Sequence, residues 1–297
     1  MRRDALPALL GCLIGAVAAV ASSNASAYEP PSGTFTVQAD DGVNLSYYAF
    51  GNGDNPVVFV HGWMVSGRVW DKMLGGFDTT GLRIIVPDLR GTGESDKPAT
   101  GYTLQRYADD IMTIVRNEHI GRFTLVGHSM GGQLVQLLAT EHPGQVIGIA
   151  ALAPVPASGV SLPPEAIGLF RYSGGNRDMQ SIILGLASPG LDPADKEALL
   201  DDAAIISPEC ILESFDAWTA GGFADQLDRI RARTIVVGAA DDIFLPADVL
   251  RSMVVEPIRG ARFAYLPGAG HYVQVELPDQ TAAVLQGFFA GLPLHAD

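Results

Sequence analysis

Phe123-Thr124-Leu125-Val126-Gly127-His128-Ser129-Met130-Gly131-Gly132-Gln133 is the stretch on which the fold turns. Its first four residues are apolar or β-branched and predict a buried strand. From residue 133 to 140 apolar side chains return at helical spacing. Between them stands Ser129, with a glycine two residues away on either side. A strand that turns straight into a helix holds its central residue in an unfavourable backbone conformation. It also brings neighbouring backbone too close for a Cβ. The turn lifts the serine hydroxyl above the sheet, at a helix N-terminus where positive partial charge favours an oxyanion. Strand, G-x-S-x-G and helix together are the setting of a serine nucleophile.

The same pattern extends outward in both directions. Residues 57–60, 82–86, 146–152, 234–237 and 262–266 are short, mostly apolar runs. Such runs suit strands covered on both faces, as in a parallel sheet. Residues 34–38 and 43–50 are β-rich and joined through Asp40-Asp41-Gly42, which predicts a hairpin. Helical stretches fall between the later runs: residues 104–118 place Tyr107, Ile111, Ile114 and Val115 on one face, and residues 281–289 behave alike. Alternation of this kind predicts an α/β fold, a mostly parallel doubly wound sheet. From 156 to 226 no convincing strand occurs. That segment is too long for a plain loop and reads as an inserted helical cap, with helix-like stretches at 193–204 and 210–218. The expected organisation is a leader over 1–27, a core from 28–155 and 227–297, and a cap from 156–226.

A serine at neutral pH needs a base. Of the six histidines, His271 follows the last predicted strand in Pro267-Gly268-Ala269-Gly270-His271, at the carboxyl edge of the sheet where Ser129 also lies. His128 adjoins the nucleophile and is expected to point away from it. His119, His142 and His295 lie at helix or chain ends. No pair has the spacing of a metal site. A carboxylate must orient the base. Asp241 and Asp242 follow the 234–237 strand, and one of them can face the histidine; Asp242 is favoured. Val60-His61-Gly62-Trp63 runs from a buried strand into a turn, so the amides of Trp63 and Met130 could converge on one oxyanion.

The order Ser129, Asp242, His271, with the His61-Gly62 turn upstream, resembles the α/β-hydrolase superfamily. The likeness is to its small capped esterases and cofactor-free haloperoxidase/perhydrolase type, and it covers about residues 34 to 290. It is carried by His61-Gly62-Trp63, the stretch Asp88-Leu89-Arg90-Gly91-Thr92-Gly93-Glu94-Ser95, the Ser129 turn, Asp241-Asp242 with Pro246, and Gly270-His271. The resemblance implies that the acid stands four residues before that proline, at Asp242. It also implies that Trp63 and Met130 hold the oxyanion, and that residues 90–95 form a supporting turn. That last stretch lacks the Gly-Lys-Ser/Thr ending of a phosphate loop. Ala239 departs from the glycine usual there.

The expected chemistry is acyl transfer to water, without metal or organic cofactor, on a small ester-type substrate. A serine nucleophile argues against the dehalogenase and epoxide hydrolase relatives, which use a carboxylate. Ile167, Leu169, Phe170, Ile182, Ile183, Leu184, Phe215, Trp218 and Phe223 could build an apolar pocket in the cap. Lactone cleavage, carbon–carbon bond hydrolysis and perhydrolysis would use the same residues. A ligand-binding protein on a hydrolase scaffold is the reading from another class.

Composition bounds the partners. The 297 residues are 47% hydrophobic, enough for one large core, and the formal net charge of −14 repels nucleic acid and anionic lipid. Arg2 and Arg3, the apolar stretch from Leu6 to Ala21 and Ala25-Ser26-Ala27 read as a cleaved secretory leader, so the protein is expected to be periplasmic or secreted, with no stable membrane span. Lipoprotein anchoring through Cys12 is the lesser reading. Cys210 then stands alone and reads as a buried hydrophobe.

Overall fold

The computed structural model describes residues 34–292. The leader, Cys12 and His295 lie outside those residues. Eight strands form one sheet: β1 (Phe35–Gln38), β2 (Asn44–Phe50), β3 (Asn55–Val60), β4 (Leu82–Pro87), β5 (Phe123–His128), β6 (Val146–Leu152), β7 (Arg233–Ala239) and β8 (Arg262–Leu266). Their order is β1-β2-β4-β3-β5-β6-β7-β8. β1 and β2 pair antiparallel as the predicted hairpin, β2 meets β4 antiparallel, and every later pairing is parallel. The predicted mostly parallel doubly wound sheet is therefore the observed one.

The helices are α1 (Asp71–Leu74), α2 (Leu104–Asn117), α3 (Met130–Glu141), α4 (Pro164–Arg171), α5 (Arg177–Ala187), α6 (Pro193–Ala204), α7 (Pro208–Ala220), α8 (Ala247–Leu250), α9 (Val273–Glu276) and α10 (Pro278–Phe289). The central strands β3, β5 and β6 are buried almost throughout, and α3 lies against β5 and β6. This accounts for their continuous apolar runs. Among the described residues no helix is long and apolar enough to cross a membrane.

The connections set the position of the site. From β3 the chain moves to β4 on one side, then returns to place β5 on the other. Such a reversal opens a crevice at the carboxyl ends of the two diverging strands. Trp63 follows β3 and Ser129 follows β5, so both stand at that crevice.

Four helices, α4 to α7, fill the interval between β6 and β7. Their ends are written in local chemistry. Asn176, Asp192 and Ser207 each accept a backbone N–H at the start of α5, α6 and α7, and Pro193 and Pro208 occupy first helical positions.

Candidate active site

Ser129 sits between β5 and α3 at φ 55°, ψ −118°, a region that L-residues avoid unless the surroundings impose it. Its N–H donates to the Leu152 carbonyl at the end of β6 (3.0 Å). Its own carbonyl accepts from Gln133 N (3.1 Å) and Val155 N (3.0 Å). The flanking glycines are required by space. A Cβ at Gly127 would lie 2.3 Å from the Gly131 carbonyl oxygen, and a Cβ at Gly131 would lie 2.3 Å from that of Val60. The serine turn is thus pressed against the end of β3.

The turn after β3 is held by His61, which is fully buried. Its Nε2 accepts from Leu89 N (3.0 Å), so Nδ1 carries the proton and donates to the Gly62 carbonyl (2.8 Å). Burial lowers its pKa, which keeps this tautomer neutral. The Asp88–Ser95 stretch braces the same turn. Asp88 accepts from Gly67 N (2.8 Å) and Glu94 N (2.9 Å). Arg90, 1% exposed, makes a fork with Asp110 at 2.5 and 2.9 Å and reaches Asp41 at 2.8 Å. With its guanidinium committed inward, this stretch supports the crevice and does not cradle a phosphate.

His271 and Asp242 arrive from the loops after β8 and β7. His271 Nδ1 donates to Asp242 Oδ2 at 2.8 Å, and both side chains are buried. The other Asp242 oxygen accepts from Phe244 N (3.0 Å) and Leu245 N (3.1 Å). With its proton on Nδ1, the imidazole presents Nε2 as an acceptor, the form a base requires. Asp241 is exposed; only its backbone takes part, with its N–H donating to the Ala269 carbonyl (2.9 Å).

His128 is buried and packed against His271. Its ring lies 4.8 Å from that of His271, and its Nε2 donates to the His271 carbonyl (3.0 Å). Burial and the neighbouring His271 charge push its pKa well below the usual histidine range. It is a neutral prop under the base.

Ser129 and His271 line one cavity together with Trp63, Leu162, Phe170, Ile183, Trp218, Phe244 and Tyr272. The wall contains no Asp, Glu, Lys or Arg side chain. Trp63 stacks on Phe170 with centroids 5.5 Å apart, and its indole N–H donates to the Ile211 carbonyl on α7 (3.1 Å). Among the described residues, the backbone amides of Trp63 and Met130 have no protein acceptor. Neither N–H is spent on a backbone partner.

Of the predicted pocket residues, Phe170, Ile183 and Trp218 face the cavity. Leu184, Phe215 and Phe223 are spent in packing, Leu169 is half-buried, and Ile167 and Ile182 are exposed. Cys210 is buried beside Tyr107, and burial raises its thiol pKa to about 12. No group of three or more His, Cys, Asp or Glu side chains among the described residues is placed to hold a metal.

Several residues that hold these loops were absent from the sequence reading. Glu276 accepts from Gly270 N at 3.1 Å, Ser188 Oγ accepts from Tyr272 N at 3.0 Å, and Asp202 accepts from Ser66. The last two pairs join residues 84 and 136 positions apart, and no local pattern marks them.

Comparison with known proteins places this geometry in context. The profile described as "Alpha/beta hydrolase family" matches residues 57–284. A non-heme chloroperoxidase of Streptomyces lividans is 30% identical over 238 residues, 71% of this chain and 83% of that protein. A bifunctional esterase/perhydrolase DCH of Acinetobacter calcoaceticus is 25% identical over 79% of this chain and 92% of its own length. The solved structure of Est816, described as an N-acyl homoserine lactone degrading enzyme, superposes with a TM-score of 0.74 at 30% identity, covering 85% of this chain and 99% of that one.

Proposed function

The chain belongs to the alpha/beta hydrolase family, and on that premise we propose that it cleaves carboxylic esters through an acyl-enzyme on Ser129. The carrying observation is the placement of Ser129 and His271 on one cavity wall, with His271 already bonded to buried Asp242. His271 Nε2 takes the Ser129 proton as the oxygen attacks the substrate carbonyl. The imidazolium that forms is stabilised by Asp242 across Nδ1–H. Negative charge moves to the carbonyl oxygen, which accepts from the Trp63 and Met130 amides. Collapse expels the alcohol, protonated by His271. Water, deprotonated by the same nitrogen, then releases the acid and frees Ser129.

The cavity wall supports a reading of the substrate class. It offers aromatic and aliphatic surface and no Asp, Glu, Lys or Arg side chain. Burying a charge there would go uncompensated. We therefore assign it a neutral substrate with an apolar acyl or alcohol part, and we read α4 to α7 as the cap that supplies much of this wall. Hydrolysis of a p-nitrophenyl ester series from acetate to palmitate, with Ser129→Ala as control, tests this. Turnover should exceed that of the mutant by at least about 10³-fold and peak at one chain length. Turnover that survives in Ser129→Ala would overturn the assignment.

A second reading has its own support. Est816 shares 30% identity over most of this chain and is described as acting on an N-acyl homoserine lactone. A lactone is an internal ester, and the same steps would open it, with the leaving alcohol still tethered to the acyl group. Parallel assay of an acyl homoserine lactone and a linear ester of equal acyl length ranks the two. Peroxide in place of water at the second step would give the perhydrolysis named for DCH. If the folded protein neither turned over any of these nor reacted at Ser129 with a fluorophosphonate, the ligand-binding reading would hold instead.

A further inference from the structure

We propose that Asp202, on α6 of the insertion, is a positioning residue for the oxyanion-binding turn. The inference deepens the ester reading and rests on it, because it assigns a task to the turn that carries Trp63. Residues 61–67 follow β3 and include Met64 at φ 65°, a left-handed conformation for a side chain that does not favour it. A turn strained in this way keeps its shape only if both ends are held. His61 secures the first end through Leu89 and Gly62. Ser66 stands at the second end and is fully buried.

Asp202 holds Ser66 from across the molecule. One carboxylate oxygen accepts from Ser66 N (2.6 Å) and the other from Ser66 Oγ (2.8 Å). These bonds are charge-assisted and paired, so they fix orientation as well as distance. Gly67, the next residue, donates its N–H to Asp88 on the core side (2.8 Å). The turn is gripped from the insertion at Ser66 and from the core at Gly67, and Trp63 lies three residues from the first grip. A second bond from the insertion reaches Trp63 itself, through its indole and the Ile211 carbonyl.

Without Asp202, Ser66 would keep a buried amide with no acceptor. Met64 would be free to relax, and the Trp63 amide would drift from the line it must keep with the Met130 amide. The insertion therefore has a task besides covering the cavity: it holds one of the two oxyanion donors in place. Asp202 touches no reacting atom, and its effect should appear in the transition state.

The test compares wild type, Asp202→Ala, Asp202→Asn, Ser66→Ala and the Ser66→Ala/Asp202→Ala double variant on the best p-nitrophenyl ester. Folding is checked by circular dichroism. In Asp202→Ala kcat should fall roughly 10- to 100-fold, the penalty of a small misplacement, with KM changed less than about twofold. The inhibition constant of an alkyl trifluoromethyl ketone, whose serine adduct carries the oxyanion, should rise by the same factor. Asp202→Asn keeps one acceptor for Ser66 N and gains a donor towards Ser66 Oγ, so it should recover most of the rate. Ser66→Ala should show a smaller loss, and the double variant no more than Asp202→Ala alone. If folded Asp202→Ala matches wild type in both kcat and ketone affinity, or if KM alone rises, the positioning role is overturned while the ester reading stands. A wild type inert to esters and ketone would overturn both.

Discussion

At the scale of single residues, the site depends on which of two adjacent acids meets His271. Asp242 is buried, with its Oδ2 against His271 and its Oδ1 on two backbone amides. Asp241 is exposed, and only its backbone is engaged. Asp242→Asn should leave the fold intact but present His271 with an amide, which can select the wrong tautomer. The expected loss in kcat is about 10³–10⁴-fold. Asp241→Asn should stay within about twofold. A steady-state comparison of the two variants checks this, and the reverse ranking would remove Asp242 from the triad. In the sequence, the resemblance to the α/β-hydrolases is what favours Asp242, through its distance to Pro246. What separates the two acids physically is the turn after β7, which points one side chain inward and the other to water.

At the scale of elements, all eight predicted strands are present, because alternating short apolar runs reflect burial that is local to each strand. Differences lie at the ends. β3 begins at Asn55, two residues before the predicted start. Pro56 argues against a strand in sequence, yet β3 pairs with β5 only from Val57 onward, so its missing N–H costs that ladder nothing. α7 begins at Pro208 and not at 210, since proline after a capping serine starts a helix as readily as it ends one. The join between β5 and α3 carries the sharpest steric demand. Gly131→Ala would put a Cβ against the Val60 and His61 carbonyls, and it should cost at least about 1–3 kcal/mol. Gly168→Ala, inside α4 with open space around it, should instead add about 0.5–1 kcal/mol. Urea unfolding of both variants, with opposite signs of change, measures the difference between a glycine that space requires and one that it does not.

At the scale of the whole molecule, two histidines are folded away from water in the neutral form. His61 and His128 are both buried, and burial holds their pKa values below the ordinary 6.5. In the unfolded chain the same groups bind protons more readily. Stability from this source is therefore complete above pH 6.5 and declines as pH falls below it towards the folded values. The slope is about 1.4 kcal/mol per pH unit for each histidine in that window. Melting temperature should be level above about pH 7 and fall between pH 6.5 and 5, with a shallower fall in His128→Gln; an equal slope in that variant would refute its share. Asp41, held low by Arg90, acts in a separate window: its contribution is lost only as pH falls below 3.8.

The sequence by itself determined the sheet, the serine turn and the chain order of Ser129, Asp242 and His271. Each of these leaves a local mark: an apolar run, a steric need for glycine, or a short-range motif at a strand end. Tertiary structure alone decided which side chains of α4 to α7 face the cavity. It set Ile183 in the wall and Ile182 in water, because adjacent helical residues point about 100° apart and only packing selects the inward one. It likewise paired Ser66 with Asp202 and Tyr272 with Ser188. A hydrogen bond across a fold depends on where two distant segments come to rest, and neither segment carries that information alone.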